Sequence, residues 1–140
     1  MAAVTDPNLL TLVKILLAVV LGGIIGYERE RSGHYAGIRT HILVCMTSAF
    51  LITAFLDYFA LDSVARMAAA MMTGIGFIGA GTILSHGVQV KGLTTAASVW
   101  GVAALGMIIA IGAIWEALVV TLIMVVVLEM KVFTLKAKRV

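Results

Sequence analysis

The side chains best able to do chemistry in this 140-residue chain gather around one break between apolar runs. Glu28, Arg29, Glu30 and Arg31 close a long apolar stretch, and Arg39, Thr40 and His41 open the next. Ionisable groups at membrane depth are costly to desolvate, so where such runs cross a bilayer these residues are functional candidates by default. Two chemistries suit them. One is an ion-paired belt fixing two helix ends, with Glu28 facing Arg31 at i,i+3. The other is a polar cation site. Magnesium keeps several waters and needs only one or two protein carboxylates, so Glu28 with Glu129, at the end of the last apolar run, would suffice as metal ligands. Magnesium is then a ligand, and no resident cofactor is expected. His41 has no His or Cys partner at ligand spacing and reads as a hydrogen-bonded structural residue, although an imidazole there could also sense pH. His34 and His86 read as solvated loop residues.

Other polar residues have plainer readings. Thr94 and Thr95 stand where they would cap a helix, with a hydrogen bond across the bundle as the alternative. Lys14 and Arg66 read as snorkelling to the membrane surface. Gly74, Gly76 and Gly79 spell G-x-G-x-x-G, but a dinucleotide fingerprint follows a strand and opens a helix, whereas this one sits inside an apolar segment after Met71 and Met72. With Gly81 these glycines imply either close helix packing or a third helix broken near 79–81 whose freed backbone lines a site. Nucleophile elbow, P-loop and clustered metal ligands are all missing from the sequence, so no enzyme is expected.

The positioning elements follow from composition. The chain is 62% hydrophobic and 12% charged, far from the roughly 45–50% apolar and 25% charged usage of soluble domains. About 20 apolar residues make one membrane span. Apolar runs at Leu9–Tyr27, His41–Leu56, Ser63–Leu84, Leu93–Ile111 and Trp115–Met130 predict an all-α, polytopic bundle of about five transmembrane helices forming a single domain over 1–140. Asp6 and Pro7 suit the first N-cap and first helical position. A cleaved leader is not expected, because no basic n-region precedes the first run. The lone Cys45 excludes an intramolecular disulfide.

Charge sets the orientation. With the N-terminus outside and the C-terminus in the cytoplasm, the inner loops and tail collect Arg29, Arg31, Arg39, Lys91, Lys131, Lys136, Lys138 and Arg139, and only Lys14 and Arg66 fall on the outer half. The basic residues alternate with the loops instead of forming one patch, so the bilayer and its anionic lipids are the expected partner and nucleic acid is not.

Four blocks carry a resemblance: Gly26-Tyr27-Glu28-Arg29-Glu30, Ala36-Gly37-Ile38-Arg39-Thr40-His41, Gly74-Ile75-Gly76-Phe77-Ile78-Gly79-Ala80-Gly81, and Gly92-Leu93-Thr94-Thr95-Ala96-Ala97-Ser98-Val99-Trp100. In order and spacing they resemble the MgtC/SapB family of bacterial inner-membrane proteins. The resemblance implies a cytoplasmic-membrane protein linked to magnesium homeostasis, low-magnesium and acid stress, and intracellular survival in pathogens. It implies a modulator of other membrane proteins, notably the proton-translocating ATP synthase. The chain resembles the short SapB-like branch, since it stops at Val140 where MgtC itself continues into a soluble domain. Thr94 stands where virulence-associated members typically carry Asn. The rival expectation is a magnesium transporter or channel, which five helices would build as a homo-oligomer.

Overall fold

The computed structural model describes residues 7–86 and 89–137. Asp6, Lys138, Arg139 and Val140, used above for capping and orientation, lie outside them, as do the side chains of His86, Lys131 and Lys136. Five helices follow one another: α1 (Pro7–Arg31), α2 (Ile38–Tyr58), α3 (Leu61–Ala80), α4 (Leu93–Ala110) and α5 (Ile114–Ala137). Between α3 and α4 lies a small antiparallel hairpin, β1 (Leu84–His86) with β2 (Gln89–Lys91), which the apolar pattern did not reveal. Among the described residues α1 to α4 are each long and apolar enough to cross a membrane. The chain is a multi-pass membrane protein built as an all-α bundle.

The first helix runs four residues past the apolar stretch. Glu28 to Arg31 continue it because all four are good helix formers. It stops in a Schellman motif at Gly33, whose φ of 72° suits glycine. Gly33 N–H donates to Glu30 O and His34 N–H to Arg29 O, each at 3.0 Å. The same motif ends α4 at Gly112, with φ 87° and bonds from Gly112 to Ile109 and from Ala113 to Ile108. Lys14 of α1 supplies a further donor there. Its Nζ donates to Ala110 O at 2.6 Å, so Lys14 closes the last turn of α4 instead of only snorkelling.

The third helix corrects the expected bounds of its span and removes one of the two alternatives for its glycines. It is continuous from Leu61 to Ala80 and ends at Gly81. It is therefore shorter than the run to Leu84; Gly81 marks its end, and Gly74, Gly76 and Gly79 lie within it without breaking it.

Helices α1, α2 and α4 make the centre of the bundle, with Ala18, Leu21, Ile25, Cys45, Ala49, Val102, Leu105 and Ile109 packed between them. Helix α5 lies against α1 and α4, and α3 against α4 and one end of α2. The closest approaches occur at glycines. A methyl group on Gly26 would lie 2.7 Å from Ile38 Cα, and one on Gly106 would lie 2.9 Å from Ser48 Cβ. Backbones approach this closely only where no side chain intervenes.

Candidate functional site

At the end of the bundle where α1 turns into α2 and α4 begins, five polar side chains are buried together. Glu28 and Arg29 come from the last turns of α1, His41 from the first turn of α2, and Thr95 and Ser98 from the start of α4. Arg29 is 1% exposed and Glu28 5%. Arg29 Nη2 donates to Thr95 Oγ1 at 3.0 Å, and Arg29 Nη1 lies 3.7 Å from Glu28 Oε2. Ser32, one turn beyond Glu28, donates its hydroxyl to Glu28 Oε1 at 2.8 Å. His41 Nδ1 lies 2.8 Å from Gly37 O and so must donate there, because a carbonyl only accepts. Its Nε2 lies 3.0 Å from Ser98 Oγ, which is itself 2.9 Å from Thr95 O.

The cluster joins three helices through groups far apart in sequence, and it is not fully satisfied. Glu28 Oε2 and Arg29 Nε are buried without a hydrogen-bond partner. Removing one member of a buried charged pair strands the other, so each residue is held strongly to the rest. Unsatisfied atoms in such a pair ask for a reason, and a functional site is one that native proteins use.

Only part of the expected belt comes together. Glu28, Arg29 and His41 do meet. Arg39 is exposed, and Thr40 is only half-buried and borders a separate cavity with Gly81 and Thr82. Glu28 is held by Arg29 and Ser32 instead of facing Arg31. The tip of α2 is closed by Glu30, whose Oε2 accepts from Ile38 N–H at 2.9 Å. Thr95 bonds across the bundle and does not cap: α4 starts at Gly92 with no side-chain cap. Thr94 is exposed at that same turn.

The carboxylate pair offered for magnesium does not form a described contact. Glu28 is buried beside Arg29, whereas Glu129 is exposed on α5. Among the described residues no group of three His, Cys, Asp or Glu side chains could hold a metal ion. The glycines divide too. Gly79 is buried and packs on Ala96 of α4, where an added Cβ would lie 3.5 Å from that of Ala96. Gly74 and Gly76 face open space, and Gly81 only ends the helix.

Ser32, Ser98 and Gly106 had no assigned role in the sequence reading. The spacing of Thr95 and Ser98, i and i+3 on one face of an otherwise apolar helix, was the signal available for Ser98. Gly106 carried none, since a lone glycine in an apolar helix does not declare its neighbour.

The MgtC family model matches residues 15–136. YhiD of Escherichia coli (strain K12), described by its name as a candidate magnesium transporter, is 46% identical over 109 residues, which cover 72% of this chain and 51% of that protein. Protein MgtC of Salmonella typhimurium (strain LT2) is 39% identical over 112 residues, 80% of this chain and 48% of that one. Protein MgtC of Brucella abortus (strain 2308) is 40% identical over 110 residues, 79% and 46% of the two chains. The chain thus spans about half the length of the curated relatives it matches. No solved structure matches it.

Proposed function

This chain belongs to the MgtC family, and on that premise we propose that it is a bacterial inner-membrane protein, N-terminus outside and C-terminus in the cytoplasm, serving magnesium homeostasis under low magnesium or acid stress. It catalyses no reaction and acts by helix contacts on other membrane proteins, of which the ATP synthase is the candidate that the family resemblance supplies.

The observation that supports contact over transport is where the polarity lies. The buried charges sit together at one end of the bundle, and the described core beyond them, from Ile25 and Cys45 through Ala18 and Val102 to Ile109, holds no buried charge and only the scattered hydroxyls of Ser48, Thr53 and Thr121. An ion crossing the chain would need polar groups along that length. Broad apolar faces point outward instead, on α3 with Phe77 85% exposed and on α5 with Leu122 67% exposed.

The rival reading is a magnesium transporter formed by several copies, favoured by the name that the E. coli relative carries. Its path would run between copies. The open face of α3 at Gly74 and Gly76 is where a second helix could approach.

Magnesium flux through purified protein in liposomes separates the two, combined with growth of a strain that depends on this chain across a magnesium series. Contact predicts no flux, together with low-magnesium growth of Glu28→Gln that falls further than its membrane abundance does. Saturable magnesium flux would replace the contact reading with transport. Normal growth of Glu28→Gln at every concentration would remove Glu28 from the functional site.

A further inference from the structure

Two cavities share Thr94 as a wall residue. The first, about 570 Å³, opens between the turn after α1 and the start of α4, with Ser32, His34, Tyr35, Lys91 and Thr94 in its walls. The second, about 290 Å³, is an apolar slot between α4 and α5, lined by Thr94, Ala97, Gly101, Ile123 and Val127.

The first cavity favours an anion. Lys91 and His34 border it, and among the described residues no Asp or Glu does. The opening N–H groups of α4 face no side-chain cap, and the first bond within that helix is from Ala96 N–H to Gly92 O. A helix start of this kind carries partial positive charge and free donors. Behind the wall, Arg29 is directed at Thr95, another wall residue, through Nη2, while its buried Nε has no partner. The Glu28 carboxylate stays behind Ser32, whose hydroxyl it holds. From this charged end the slot runs along two apolar helices, past Gly101, where the absent side chain leaves room for Met124.

A positive pocket that shares the Thr94 wall with an apolar slot matches an amphiphile with an anionic head. We propose that the two cavities hold one anionic phospholipid, its phosphate over the start of α4 within reach of Lys91 and one acyl chain between α4 and α5. Free phosphate would satisfy only the first cavity, and a lipid without net charge only the second. The site is independent of whether the chain acts on magnesium.

The test uses the full chain, purified in neutral detergent and stripped of lipid. Its melting temperature is titrated with phosphatidylglycerol, phosphatidylcholine of the same chains, and inorganic phosphate, and native mass spectrometry counts retained lipid. Phosphatidylglycerol is expected to raise the melting temperature saturably with one molecule retained, and the other two to do neither. Lys91→Gln removes an exposed charge and should weaken the phosphatidylglycerol titration about tenfold, the value of one charge-assisted contact. Ala97→Leu, on an exposed helix face, fills the slot and should weaken it comparably while leaving the lipid-free melting temperature unchanged. Equal responses to the two lipids, a full response to inorganic phosphate, or an unchanged phosphatidylglycerol titration in both variants overturns the proposal.

Discussion

Arg29 on the first helix donates to the hydroxyl oxygen of Thr95 on the fourth, at 3.0 Å and 66 positions away in sequence. This bond ties a buried charge on α1 to α4 at one end of the bundle, and with His41 on Ser98 it makes the polar end of the protein one unit.

Thr95→Val removes the acceptor and leaves a buried guanidinium short of a partner. Melting in detergent should show a loss of about 1–3 kcal/mol. Arg29→Met alone should also destabilise, by stranding Glu28, and the double variant should lose less than the two singles added. Additive losses would mean that the two side chains do not interact.

Gly106→Ala should destabilise by about 1–3 kcal/mol, because the new methyl meets Ser48 and the Cys45 backbone with no flexible side chain to yield. Gly76→Ala meets nothing and should melt within about 0.5 kcal/mol of the parent. Reversed sensitivities in a thermal-melt comparison would show that Gly76, and not Gly106, lies at a helix crossing.

Lys14→Met should cost about 1 kcal/mol by freeing the Ala110 carbonyl at the end of α4. Amide exchange at 111–113 should rise more than at the start of α4. A uniform change along α4 would contradict a local closing role.

Tyr35 and Tyr58 are each 82% exposed, in the turn after α1 and at the end of α2. With the N-terminus outside, Tyr35→Cys should react with a membrane-impermeant thiol reagent only after permeabilisation, and Tyr58→Cys in intact cells. The native Cys45 is buried and should stay silent. The opposite labelling pattern would invert the topology.

The functional end was half legible. Charged residues flanking an apolar run are local facts, so Glu28, Arg29 and His41 stood out. Thr95 stood out as well, with the bond across the bundle only as the alternative to a cap, but Ser98 did not, because it is an ordinary residue in an apolar helix until the fold sets it opposite an imidazole. Arg39 looked equivalent to Arg29, yet two turns of backbone around Gly33 leave one exposed and the other 1% exposed.

The sequence by itself determined a membrane bundle of five helices with short connections and positive charge on alternate loops. Each of these depends on local composition: about twenty apolar residues satisfy the bilayer, and glycine at a left-handed position ends a helix whatever its neighbours are. Only the tertiary structure decided which faces meet. In water a helix advertises its buried face by its apolar stripe, but lipid is as apolar as a protein core, so helices such as α4 and α5 are apolar all round. What selects the contact is then the shape of a groove at Gly26 or Gly106 and the position of a single hydroxyl at Thr95 or Ser98. Those become visible only when the helices are side by side.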